Sequence, residues 1–97
     1  MNLNNFTIKA QEAVQKASEI AEGFQQQAIE NAHLLKGLIS VDENVVGYLL
    51  KKLNVNLNRL STGLDELIAV YPKVSDSNIY LSNSTNTTLQ KAQSYLK

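Results

Sequence analysis

Apolar residues return at three- and four-residue spacing four times along the chain, and a fifth run opens near the C-terminal end. The first run, Ala10, Ala13, Val14, Ala17, Ile20 or Ala21 and Phe24, predicts an amphipathic helix with a stripe of mostly small side chains. A neighbouring helix can approach such a stripe closely. Thr7 stands before it as a hydroxyl N-cap, Phe6 is placed to fold over the start as half of a staple, and Gly23 is expected to supply the left-handed stop.

Gln25-Gln26-Gln27-Ala28 reads as a polar connector, with Ile29 the apolar residue ahead of a second cap at Glu30 or Asn31. Leu34, Leu35, Leu38, Ile39 and Val41 predict the buried side of the second helix. Asp42, Glu43 and Asn44 interrupt it and put negative charge at the start of a third, where the helix dipole favours it. In that third helix Val45, Val46, Leu49, Leu50 and Leu53 form the stripe, Lys51 and Lys52 suit its C-terminal end, and Asn54 is a left-handed cap. Asn56 caps a fourth helix carrying Leu57, Leu60, Leu64, Leu67, Ile68 and Tyr71, which Pro72 ends. Residues 73–81, KVSDSNIYL, read as an ordered loop; their Val/Ile/Tyr alternation also allows a strand fragment.

The fifth run is a degraded copy of the first. Phe6, Thr7, Val14, Gln15, Lys16 and Ala17 match Leu81, Ser82, Leu89, Gln90, Lys91 and Ala92 at a constant offset. Its first turns are weakened by the β-branched Thr85, Thr87 and Thr88. The fold class is therefore all-α: one complete helical unit and the opening helix of a second. With no later helices to bury Leu89, Ala92 and Leu96, helix five is expected to fray or to find a second copy of the chain.

Composition narrows the chemistry. Nine basic and nine acidic residues cancel, so no field is available to hold nucleic acid or an anionic membrane surface. The absence of Cys removes disulfides and thiolate zinc sites, in agreement with a cytoplasmic protein. No apolar run approaches the ~18 residues of a membrane span, and the N-terminal residues lack the pattern of a secretory leader. His33 is the one side chain that titrates near neutrality. With Glu30 its only near acidic neighbour, it lacks partners for catalysis or for a metal and reads as a structural histidine at a helix start. Thr7 and Ser82 have no base beside them and read as caps. The sequence therefore predicts no catalytic residue, no metal site, no cofactor and, without a glycine-rich phosphate loop, no nucleotide site.

Four features in order carry a resemblance. They are Phe6-Thr7-x-x-Ala10-x-x-Ala13, then Ile29-Glu30-x-x-His33-Leu34-Leu35, then Leu49-Leu50-x-x-Leu53, and finally the half-repeat at Leu81-Ser82. Together they resemble the Clp N-terminal (Clp repeat) domain over the whole chain. Tyr71-Pro72-Lys73-Val74 with Tyr80-Leu81-Ser82 is similar to the disaggregase-chaperone branch of that family. The alternative branch comprises unfoldases that feed a protease and use this domain to dock adaptors. Ala32 stands where relatives of that protease-linked kind often have Glu, and Lys91 where an apolar residue is common.

The resemblance implies a first four-helix repeat over residues 1–72, a connector over 73–82 and the first helix of a truncated second repeat over 83–97. It implies a substrate-docking module that binds exposed apolar segments of unfolded or aggregated polypeptides. The module would work alongside ATPase modules of the same full-length, hexameric chain. On the same basis Thr7, Thr85, Thr88 and Leu89 are the expected peptide-binding residues, bordering a groove between helices one and five.

Overall fold

The Thr7 hydroxyl accepts the Ala10 amide at 3.1 Å, and the first helix runs from there as α1 (Ile8–Gly23). The computed structural model describes residues 7–74 and 79–95, so the Phe6 staple and Leu96 lie outside the described residues. After α1 come β1 (Ala28–Ile29), α2 (Asn31–Val41), α3 (Glu43–Lys52), α4 (Leu57–Ala69), β2 (Tyr80–Leu81) and α5 (Asn83–Tyr95). The all-α class holds. The strand alternative for the connector is the one observed, and β2 pairs in parallel with β1, Ala28 opposite Tyr80 and Ile29 opposite Leu81.

The small residues of α1 set the packing. Ala13, Val14, Ala17 and Ala21 are buried, and α2 lies against them with Gly37 at the closest approach. The two helices run antiparallel, so Lys9 near the start of α1 reaches the Val41 carbonyl at the end of α2, 3.5 Å away. On its other side α2 meets α4: Ala32 packs with Leu64 and Ile68, and Lys36 pairs with Asp65 at 2.5 Å. A second apolar cluster joins Ala17 and Ala21 to Ile29, with Ile79 and Leu81 against it. The short ladder thus fastens the segment before α5 to the body of the domain.

Three expectations are corrected. The left-handed residue after α1 is Gln25 (φ 59°), not Gly23, which keeps helical backbone. The Gln26 amide donates to the Ala21 carbonyl (2.8 Å) and the Gln25 amide to the Glu22 carbonyl (2.9 Å), the paired bonds of a Schellman ending. The buried side of α2 is Ala32, His33 and Gly37, while Leu35 and Leu38 face outward. Gly37 is buried against the α1 backbone, where a Cβ would not fit, and Ala32 is buried against Leu64 and Ile68 of α4. The α3 stripe is only half covered, with Val45, Leu49 and Leu53 exposed and no residue of the helix buried.

Other endings agree with the pattern. Asn54 (φ 61°) closes α3, with the Val55 amide on the Leu50 carbonyl at 2.8 Å, and the Asn56 side chain accepts the Arg59 amide at 3.1 Å to open α4.

Candidate functional site

The two copies of the helix start are built alike. Ser82 Oγ accepts the Thr85 amide at 3.1 Å, as Thr7 Oγ1 accepts that of Ala10. Beyond the caps the copies diverge. Ala13, Val14 and Ala17 are buried, with Gly37 of α2 against Ala13 and Ala17, whereas their counterparts Thr88, Leu89 and Ala92 are exposed, half-buried and exposed. α5 is a copy of α1 that no helix of the α2 kind covers among the described residues.

That uncovered face and the flank of α1 border an apolar groove of about 370 Å³. Thr7, Ala10, Ala13 and Val14 form one wall, Leu34 and Leu38 of α2 the floor, and Thr88, Leu89 and Ala92 of α5 the other wall. Among the described residues no charged side chain lines it. Its two hydroxyls are already engaged, Thr7 as the α1 cap and Thr88 donating to the Ser84 carbonyl at 3.0 Å. Such a surface offers area and shape to an apolar partner and no acid, base or nucleophile for chemistry.

Of the four residues expected to bind peptide, Thr7, Thr88 and Leu89 therefore share one groove. Thr85 does not reach it. It is fully buried, and its hydroxyl oxygen accepts a hydrogen bond from Ser82 Oγ at 3.0 Å. Ala10, Ala13, Val14 and Ala92 join the groove without having been singled out for it. For Val14 and Ala92 the signal was the internal repeat, which sets Val14 against Leu89 and Ala17 against Ala92, and for Ala10 and Ala13 it was the helical spacing of the first run. Leu34 and Leu38 carried a helical-spacing signal, and the structure puts them on the groove floor.

His33 is buried at the head of α2 and holds three segments together. Its Nδ1 accepts the Glu30 amide at 2.9 Å, which leaves the proton on Nε2, 2.8 Å from Gln26 Oε1. Gln26 Nε2 in turn donates to the Ile68 carbonyl at 2.6 Å. The Tyr71 ring stands 5.4 Å from the imidazole. Burial lowers the His33 pKa, opposed in part by the Glu30 carboxylate. The arrangement is that of a neutral imidazole acting as a strut. Among the described residues no three His, Asp or Glu side chains come together as metal ligands, and no helix is long and apolar enough to cross a membrane.

Comparison with known proteins gives one consistent result. The model of the Clp repeat (R) N-terminal domain matches residues 5–97. A protein named chaperone protein ClpB from Bacteroides thetaiotaomicron is 47% identical over 97 residues, covering all of this chain and 11% of the relative. One of the same name from Porphyromonas gingivalis is 44% identical over 93 residues, 96% of this chain and 11% of the relative. Chaperone protein ClpB 2 of a Nostoc species is 41% identical over 98 residues, 99% of this chain and again 11% of the relative. The chain thus spans about a ninth of the length of the relatives it matches.

Proposed function

Because the chain belongs to the family of Clp repeat N-terminal domains, we propose that it is the substrate-docking module of a ClpB-type chaperone, receiving exposed apolar segments of unfolded or aggregated proteins. The observation that carries this reading is the groove: an uncharged, apolar surface of about 370 Å³ between α1, α2 and α5. Selectivity would come from apolar area, since none of the described residues along the walls carries charge. Thr7, Thr88 and Leu89 are assigned contacts with the bound segment. Thr85 is assigned the structural part of closing the first turn of α5.

Docking on such a surface needs no nucleotide, and the ATPase modules of the longer chain would supply the energy of later steps. Affinity should be micromolar or poorer, because a shallow groove desolvates little area and ordering a flexible partner opposes binding. Salt should weaken it little, given an apolar contact and zero net charge.

Titration of a permanently unfolded protein into the isotope-labelled chain, followed by amide chemical shifts, tests the reading. Shifts are expected at Thr7, Leu34, Leu38 and Leu89, and Leu89→Asp should remove them while helix content stays. Shifts confined to Lys51, Lys52 and their neighbours would place the contact on a charged face and overturn the assignment.

A further inference from the structure

A second pocket lies at the other end of the α1–α2 pair from Thr7, and its chemistry differs from that of the groove. It encloses about 240 Å³ between the chain just before α2 and the segment that follows α4. Pocket volumes for drug-sized ligands begin near ~300 Å³, so this one is sized for a single side chain. Tyr71, Tyr80 and Pro72 supply its apolar walls, and among the described residues the one charged group on it is the carboxylate of Glu30. Among the described residues no ion pair is formed with Glu30.

The walls are held by the backbone. The Val74 amide donates to the Gln25 carbonyl at 2.8 Å and the Tyr80 amide to the Gln27 carbonyl at 3.0 Å. Gln26, on the inner side, is committed to Ile68 and His33. The Glu30 side chain also accepts the His33 backbone amide as half of the capping box that opens α2, and its carboxylate keeps its charge there, so the described lining presents one capped negative charge beside two tyrosines. Both features favour a cation: the carboxylate by Coulomb attraction, the rings through their negative faces. Glu30 acts on the same spot already, since its charge and burial together raise the pKa of the Tyr71 phenol, with burial the larger cause.

We propose that the Glu30–Tyr71–Tyr80 pocket receives the cationic side chain, Lys or Arg, of a polypeptide bound to this domain. The site is separate from the apolar groove in position and in chemistry, and it does not depend on the groove being a docking site. Where both are occupied by one partner, the pocket would favour segments with a basic residue flanking an apolar stretch, a preference the groove alone has no charge to express.

The probe is a short blocked peptide, acetyl-Gly-Arg-Gly-amide, with its citrulline analogue as the uncharged isostere. Titrated into the labelled 97-residue chain at low salt, the Arg peptide should give saturable shifts at the amides of Glu30, Tyr71 and Tyr80. The citrulline peptide, and the Arg peptide with E30Q, should bind about three- to tenfold more weakly. Because Glu30 also begins α2, a second variant guards against loss of fold: Tyr80→Leu, at an exposed side chain, should weaken the Arg peptide about threefold with helix content unchanged. Equal binding of the two peptides, unaltered binding by both variants, or no saturable shift at these three amides would each overturn the proposal. Failure of the groove test leaves these readouts unaffected, because no groove residue enters them.

Discussion

A Cβ added to Gly37 would sit 2.5 Å from the carbonyl oxygen of Ala13 and 3.0 Å from the Ala17 amide nitrogen. Both atoms belong to the α1 backbone and neither can swing aside. The α1–α2 contact, the most extensive between helices among the described residues, is thus fixed by the absence of one methyl group.

Gly37→Ala should therefore destabilise the domain by about 1–3 kcal/mol, since the overpacking outweighs the ~1 kcal/mol of helix propensity gained. Gly63 of α4 supplies the control, because nothing lies within 4 Å of an added Cβ there. Gly63→Ala should stabilise by about 0.5–1 kcal/mol. Urea unfolding of the two variants decides; a stabilised Gly37→Ala would mean that α2 does not lie this close to α1.

Gly37 also shows where sequence reading stops. Spacing of apolar residues locates every helix, because a helix reports itself in its own stripe. It does not state which of two candidate faces meets the nearer neighbour. Leu34, Leu35 and Leu38 outweigh Gly37 in hydrophobicity, yet the close approach to α1 selects the glycine, and Ala32 is buried on the α4 side. The β1–β2 pairing was legible only as an alternative, since two residues per strand leave almost no periodic signal and their partners are far apart in the chain. The groove was half legible: the internal repeat matched Val14 with Leu89, while the burial of Thr85 depends on the tertiary position of α5.

The paired caps make a second prediction. Thr7→Ala should cost about 1 kcal/mol, and Thr7→Ser should be close to neutral, because the hydroxyl rather than the methyl carries the bond to Ala10. Ser82→Ala should cost more than Thr7→Ala. Ser82 both accepts the Thr85 amide and donates to the Thr85 hydroxyl, which is left buried without its partner. Chemical denaturation of the three variants gives the order directly, and equal losses from Thr7→Ala and Thr7→Ser would show that the methyl packs and the hydroxyl does not cap.

A third prediction comes from Gln25, which holds the left-handed position expected of the glycine two residues earlier. A residue with a Cβ pays about 1 kcal/mol in that conformation, and the Gln25 side chain is exposed. Gln25→Gly should stabilise by somewhat less than that, about 0.5 kcal/mol, because glycine also gains freedom in the unfolded chain. Gly23→Ala, in helical backbone with open space around it, should also be tolerated or mildly stabilising. Thermal unfolding of both variants separates the two sites; a large loss from Gly23→Ala would move the helix stop back to Gly23.

The last prediction concerns the buried imidazole. His33 accepts the Glu30 amide through Nδ1, so protonation there would break the bond at the head of α2 and put charge into a buried site. Burial accordingly holds its pKa below the ordinary 6.5, and the nearby Glu30 carboxylate offsets only part of that. The sign follows from proton counting. Below pH 6.5 the unfolded chain takes up a proton that the folded chain refuses, so stability is fully present above 6.5 and falls with pH until the lowered folded pKa is passed. The slope cannot exceed about 1.4 kcal/mol per pH unit for one group. Between pH 6.5 and about 5, before the carboxylates titrate in bulk, the chain should lose stability while His33→Gln stays nearly level, although less stable at pH 7. Urea midpoints across this window, paired with an NMR titration of the His33 ring, read both sides of the linkage. Parallel curves for the two proteins, or a ring titrating at its ordinary pKa in the folded state, would remove His33 as the acid-sensitive strut.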